Sequence, residues 1–318
     1  MPTRTLDSPP QILPLYARAA APLVPGLSLL PGITGGGKEI PELELRLTGV
    51  TAKPEDVSAY AKVCGFPLRD SLPVTYPHVL AFPLHMAVMA DGSFPFGAVG
   101  LVHLENRIVQ HRPIGVAEEI ELIVRPTPLR PHRSGRTFSL LTEARVGDEL
   151  AWESESTMLR RGQGDASAPG PPIGAQEQTR AAEGFEPIPE DEFVASAEWR
   201  LGGDLGRRYA AVSGDRNPIH MHSLTAKPLG FPAAIAHGMW SKARALAALD
   251  SRTPDSFEAF VRFRKPILLP AKVEFGSRDG ASGEIDFSVR DAKRHIPHLD
   301  GRIEPLGSNS KAKSGRTK

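Results

Sequence analysis

The chain repeats itself, and this limits its architecture more than any single motif does. The run Tyr60-Ala-Lys-Val-Cys-Gly65 returns as Tyr209-Ala-Ala-Val-Ser-Gly214, 149 positions later. Farther on, Arg112-Pro-Ile114 returns as Lys265-Pro-Ile267, 153 positions later. Two unrelated motifs at nearly one offset imply a tandem duplication, so the fold must be built from two like units. The length of 318 residues suits two domains of ordinary size and is long for one core.

Each half carries the same order of patterns. Leu43 to Val50 alternates, with Leu43, Leu45 and Leu47 against Glu44, Arg46 and Thr48, as a half-buried strand does. Thr51 with Glu55 marks a helix start, Pro54 fits its first turn, and Gly65 ends it. A second helix is expected over about Leu84 to Met89, with its start left open. Strand patterns follow at Val99 to Gln110, Glu118 to Val124, Arg136 to Val146 and Glu149 to Leu159. The second half repeats this from Phe193: a strand, a helix over Asp204 to Val212, a loop, and a long apolar helix from about Ala236 to Ala248. Its strands are expected near Ala259 to Leu268, Lys272 to Ser277, Ile285 to Asp291 and Ile296 to Ile303. A helix followed by antiparallel strands on short turns is an α+β pattern, not an alternating βαβ one.

Boundaries follow from composition. Residues 1–38 read as a leader holding a short helix over Pro14 to Ala20, 39–162 as the first unit and 187–306 as the second. Between them, 163–186 is rich in Gly, Ala, Pro and Gln and reads as a linker. Residues 307–318 are small, polar and basic, and are expected to be disordered. Gly32 to Lys38 has the spacing of a phosphate loop, but Glu39 stands where Ser or Thr is needed, so it reads as linker. Lys+Arg 38 against Asp+Glu 37 gives no attraction for a polyanion. The apolar stretch from Ile12 to Leu30 is broken by Arg18 and three prolines, unlike a signal peptide or a membrane span. Cys64 has no second cysteine to pair with, which fits a reducing cytoplasm and an inert core thiol.

The chemistry concentrates in the second half. Gly214 stops a helix, and Pro218 drives Asn217 out of the α region, so Asp215 to His220 is expected to be a loop with a carboxylate and an imidazole at its ends. A long helix starts soon after, near Gly238. A carboxylate and an imidazole that share one water form an acid/base pair. A helix N-terminus offers N–H groups where negative charge develops, and a glycine there lets an oxygen approach closely. Adding water to an α,β-unsaturated thioester needs both devices, though the sequence allows that reaction without selecting it. His220, His222 and His237, with Asp215 as a further ligand, could instead hold a metal. In the first copy Gly65 is followed by Phe66 and Pro67, so that copy lacks the pair.

The run Tyr209-Ala-Ala-Val-Ser-Gly-Asp-Arg-Asn-Pro-Ile-His220, with Gly230-Phe231-Pro232 and Ala236-His237-Gly238-Met239, resembles the hydratase motif of MaoC-like proteins. That family holds the (R)-specific enoyl-CoA hydratases and (3R)-hydroxyacyl-thioester dehydratases. Tyr76 to Met86, Phe94-Pro-Phe96 and Val102 to Asn106 resemble the two-domain members found in mycolate-making bacteria. The resemblance spans about residues 40 to 305. It implies a double hotdog: two tandem units, each a long helix wrapped by an antiparallel sheet, with the sheets joined edge to edge. It implies Asp215 and His220 as the catalytic pair and the Gly238 N–H as oxyanion donor, without metal or redox cofactor. Asn217, expected to shape the loop by an Asx-type bond to Asp215, His237 and Ser213 are supporting candidates. Tyr76, Phe82, His85, Met86, Met239 and Lys242 are substrate-binding candidates. Lys227, Arg262 and Arg264 join Lys242 as candidates for the phosphates of CoA or phosphopantetheine, while Glu105, Asn106 and Arg107 read as surface. The expected partner is an acyl-CoA or acyl carrier protein, and the chain is a monomeric pseudo-dimer or a homodimer of it. A non-catalytic acyl-thioester-binding subunit and a hotdog thioesterase are the alternatives.

Overall fold

Both repeats of the Tyr-Ala-x-Val-x-Gly run form the end of a helix, and for the same reason. Helices Pro54–Cys64 (α2) and Leu205–Ser213 (α4) stop at Gly65 and Gly214, whose φ angles of 86° and 76° lie in the left-handed region that favours glycine. The computed structural model describes residues 2–20, 39–97, 100–165 and 185–307. The phosphate-loop-like run, most of the linker and the basic tail lie outside the described residues.

In chain order, Thr3–Leu6 (β1) and Ile12–Ala20 (α1) precede Glu44–Val50 (β2) and α2. Tyr76–Met89 (α3) then leads to Leu101–Gln110 (β3), Ile120–Pro126 (β4), Arg130–His132 (β5), Gly135–Val146 (β6) and Glu149–Arg161 (β7). The second unit runs Ala197–Leu201 (β8), α4, Pro218–Met221 (α5), Ser223–Ala226 (α6) and Gly238–Leu249 (α7). It closes with Phe257–Phe263 (β9), Ala271–Asp279 (β10), Ile285–Asp291 (β11) and Pro297–Pro305 (β12). Among the described residues twelve strands form one sheet in the order β1-β2-β4-β6-β7-β3-β9-β12-β11-β10-β8, with β5 on β6. The units meet where β3 pairs antiparallel with β9, from Glu105 opposite Arg262 to Gln110 opposite Phe257. This is the α+β double hotdog, with its two sheets joined edge to edge. One core cluster runs through both units, and Tyr60 of α2 meets Tyr209 of α4 with ring centroids 6.1 Å apart.

Three expectations change. Thr3–Leu6, read as leader, is a strand parallel to β2; its mostly exposed side chains carry no apolar alternation, so its pairing is legible only from the partner. The helix expected from Leu84 starts at Tyr76, although Pro77 and Pro83 lie in it. Nine of its side chains are buried, and that burial outweighs the missing amide. Part of the expected Asp215–His220 loop is a helical turn: Pro218 supplies the fixed φ of a first helical position, and Asn217 Oδ1 accepts from Ile219 N at 3.4 Å as its cap.

Candidate active site

Gly214 turns the chain out of α4, its N–H bonded to Ala210 O at 3.1 Å, and delivers Asp215 to a cavity. Asp215 N donates to Ser213 Oγ at 3.2 Å. Asp215 Oδ1 accepts from Asn217 N at 3.1 Å and from the Tyr16 hydroxyl at 2.8 Å. Asn217 therefore holds Asp215 through its backbone N–H, while its side chain caps α5. That short helix lies close to α4 because Gly206 has no side chain: a Cβ there would stand 1.9 Å from the His220 carbonyl oxygen.

His220 Nδ1–H donates to Ile235 O at 2.8 Å, which leaves Nε2 unprotonated. His237 stacks on it, ring centroids 3.6 Å apart and planes 26° apart, and donates from Nε2 to Asp215 O at 3.0 Å. His237 also precedes α7, whose first N–H groups have no side-chain cap. Gly238 opens that helix, and a Cβ on it would stand 3.1 Å from the Phe263 ring. The cavity measures about 310 Å³ and is shared by both units. Asp215, His220, His237, Gly238 and Met239 face it from the second unit, and His78, Val79, Phe82, His85 and Met89 from α3 of the first. The space behind Phe66, Pro67 and Pro113 of the first unit, lined also by Leu246 and Phe257 of the second, is only about 70 Å³.

The site has a definite charge state. Burial pushes the Asp215 carboxyl up, but His237, His220, the Tyr16 hydroxyl and the Asn217 N–H outweigh it and hold the group below its ordinary range. Burial lowers His220 against the pull of Asp215 and Ile235 O, and lowers His237 to about 3. At neutral pH the site thus holds one carboxylate and two neutral imidazoles. The Tyr16 and Asn217 donors hydrogen-bond that carboxylate directly at Oδ1. Asp215, His220 and His237 offer ligand atoms within 4.8 Å of one another. Stacked rings, however, direct their in-plane lone pairs side by side rather than toward one ion. His222, a candidate in the alternative metal reading, accepts from Leu224 N as the cap of α6.

Other assignments are corrected. Lys242 is fully buried, and its Nζ donates to Asn106 O, Asn106 Oδ1 and Ala259 O at 3.1, 2.6 and 2.8 Å, so it meets neither cavity nor phosphate. Tyr76 packs edge-on against Tyr60 and Met86 lies in the core, so neither lines the cavity. Glu105, Asn106 and Arg107 belong to the seam between the units: Glu105 pairs with Arg262 at 2.7 Å and Arg107 with Glu258 at 3.1 Å. Arg262 is thereby committed, whereas Arg264 lines the cavity while bonding Asp300 at 2.8 Å. Lys227 sits on an exposed turn after α6. The sequence reading missed Tyr16, and also Arg161 and Lys265, which line the cavity beside Arg264. The Lys265-Pro-Ile267 repeat marked that last position without revealing its use.

Comparison with known proteins gives a consistent picture. The family model described as MaoC like domain matches residues 185–286. The 3-hydroxyacyl-thioester dehydratase X of Mycobacterium tuberculosis is 37% identical over 291 residues, which is 91% of this chain and 95% of that protein. The crystal structure of HtdX from the same organism has a TM-score of 0.70 at 35% identity, covering 83% of this chain and 100% of that one. A MaoC-like dehydratase from Phytophthora capsici shares the fold, with a TM-score of 0.68 at 20% identity over 84% of this chain and 96% of its own. So does an M. tuberculosis protein described as having a double hotdog fold, with a TM-score of 0.50 at 14% identity over 84% and 94%.

Proposed function

The chain belongs to the MaoC-like dehydratase family, and on that premise we propose that it interconverts (3R)-3-hydroxyacyl and trans-2-enoyl thioesters by removing or adding water. The acyl group is carried on CoA or on an acyl carrier protein. The observation that supports this most is a pair of acceptors outside the site's hydrogen bonds, Asp215 Oδ2, 3.8 Å from His237 Nε2, and His220 Nε2, on side chains that line one cavity with the first turn of α7. Oδ1 already accepts two hydrogen bonds and Nδ1 already donates one.

In the hydration direction, a water between Oδ2 and Nε2 gives one hydrogen to each. Its oxygen adds to C3 as one proton is withdrawn, and the electron pair of the double bond moves toward the thioester oxygen. The Gly238 N–H meets the enolate charge there. The proton taken from water is returned to C2, so the site ends as it began. Dehydration runs the same steps backward. The two groups lie close enough to titrate together, so the pair is treated as one acid/base unit.

The first unit closes the cavity through α3, so Val79, Phe82, His85 and Met89 bear on acyl length. Arg161, Arg264 and Lys265 are the cations placed to meet a carrier phosphate. No metal or redox cofactor enters this reading. No helix of the described residues is long and apolar enough to cross a membrane, and the reading places the protein in the cytoplasm with its site complete in one chain. The test is to follow enoyl absorbance with purified protein, crotonyl-CoA and longer enoyl-CoAs, with and without EDTA, with a thiol reagent alongside. Loss of absorbance without thiol release, unaffected by EDTA, is the expected result. Thiol release would make it a thioesterase, EDTA sensitivity restored by zinc would make it a metal enzyme, and binding without turnover would make it a carrier subunit.

A further inference from the structure

The N-terminal segment joins the two units in a way no motif announces. β1 extends the outer edge of the first unit's sheet, pairing Thr3 with Glu44 through Leu6 with Leu47. Helix α1 then reaches the loop that carries Asp215 in the second unit. Ile12 Cδ1 lies 2.8 Å from where a Cβ on Gly214 would stand. Four residues on, one helical turn away, the Tyr16 hydroxyl donates to Asp215 Oδ1 at 2.8 Å and accepts from Arg216 N at 2.8 Å. A phenol has one hydrogen to give, and here it goes to the carboxylate while the oxygen receives a backbone N–H.

We propose that Tyr16 is a positioning residue for the Asp215–His220 pair: it occupies Oδ1, leaving Oδ2 for substrate, and it pins the loop through Arg216 N. A carboxylate with a free torsion presents either oxygen, and often neither at the right angle. Two donors on one oxygen, from Tyr16 and from Asn217 N, fix the group's plane. The consequence for turnover rests on the dehydratase reading, whereas the effect on the carboxylate does not.

The chemistry gives a signed expectation. Asp215 faces His220 and His237 from its own unit, Tyr209 on α4, His78 and His103 across the cavity, and Arg216 beside it. The rings of His78 and His103 are pushed down to about 4 and about 3, mainly by burial, so they stay neutral near pH 7. Tyr16 stays protonated, because burial and the adjacent carboxylate both push its pKa up. A donor to the charged carboxylate lowers the pH at which Asp215 takes a proton. Removing that donor must therefore raise the midpoint.

The experiment compares wild type, Tyr16→Phe and full-length protein carrying 3-fluorotyrosine at position 16, a stronger donor of nearly the same size. Asp215 is titrated by ¹³C NMR of aspartate-labelled protein, its signal identified by loss in Asp215→Asn. The midpoint should rise in Tyr16→Phe and fall with fluorotyrosine. The acid limb of kcat against pH should move the same way, with kcat down about 10- to 100-fold in Tyr16→Phe and KM unchanged. An unmoved midpoint in both proteins overturns the proposal, as does unchanged kcat in Tyr16→Phe. If Tyr16→Phe does not fold, fluorotyrosine decides alone. If wild type turns over no enoyl thioester, the dehydratase reading fails, and the NMR titration still judges Tyr16.

Discussion

In the proposed reaction Asp215 and His220 share one water as a single acid/base unit, so their variants should fail alike in rate. Asp215→Asn and His220→Ala are each expected to reduce hydration about 10²–10⁴-fold, the usual scale for acid/base groups, in proteins that still fold. Near-wild-type turnover from either would remove it from the site. The histidines also set an acid limit on stability. His78 and His237 are buried and pushed down to about 4 and about 3, chiefly by burial. Their unfolded forms take a proton near pH 6.5, the folded forms do not, so the unfolded state binds more protons below that pH. Stability from these groups is full above about pH 6.5 and falls by up to about 1.4 kcal/mol per pH unit per histidine on the way to pH 4. Urea midpoints measured from pH 7 to pH 4 should fall, and His78→Phe should flatten the slope; a pH-independent midpoint would contradict it. Asp215, His220 and Gly238 were legible because one short stretch of sequence holds them all. Tyr16 was not, since its partner is 199 residues away and a tyrosine in a short helix carries no distinguishing signal. Lys242 was misread for a related reason. A lysine in an apolar helix looks like one that reaches solvent, and only the acceptor 136 residues away shows that it does not.

The short helix α5 exists because Asn217 caps it and Pro218 starts it, but its place is decided by α4. Gly206→Ala should gain up to about 1 kcal/mol from helix propensity alone. Against that, its Cβ would lie 1.9 Å from the His220 carbonyl oxygen, which is backbone and cannot swing away. Forcing such a contact costs about 1–3 kcal/mol and moves the helix that carries His220. The expected outcome is a protein that melts lower and turns over at least about tenfold more slowly. A more stable, fully active Gly206→Ala protein would mean that α4 and α5 do not pack this way. Elements were legible where apolar spacing or a stop signal was strong: α2, α4 and β11 appear where they were expected. They were obscured where burial overrode local chemistry, as in α3, whose Pro77 and Pro83 hid its first two turns. The parallel strand β1 was hidden too, since four residues with mostly exposed side chains show no period.

The whole molecule is held at the β3–β9 seam, which Lys242 underlies. Its three acceptors come from both units, and Asn106, which supplies two of them, also donates to Ser154 Oγ and Ser156 Oγ at 3.0 Å. Asn106→Leu keeps the backbone O but takes the Oδ1 acceptor from the buried lysine, and is expected to cost about 1–3 kcal/mol in urea unfolding. The double variant Asn106→Leu/Lys242→Met should cost less than the sum of the two single variants, because it removes the donor together with its side-chain acceptor; an additive cost would refute this account of the seam. The duplication itself was legible from two short repeats, because like sequence makes like caps and turns. Which residues lie between the copies was not, because contact across a seam leaves no period along the chain. Since β3 and β9 belong to one polypeptide, their pairing is unimolecular. Dilution, which dissolves any site shared between separate subunits once their concentration falls below the dissociation constant, has no such hold here. Activity per molecule should therefore stay constant from micromolar to nanomolar protein, and a specific activity that declines on dilution would show that a second chain completes the cavity.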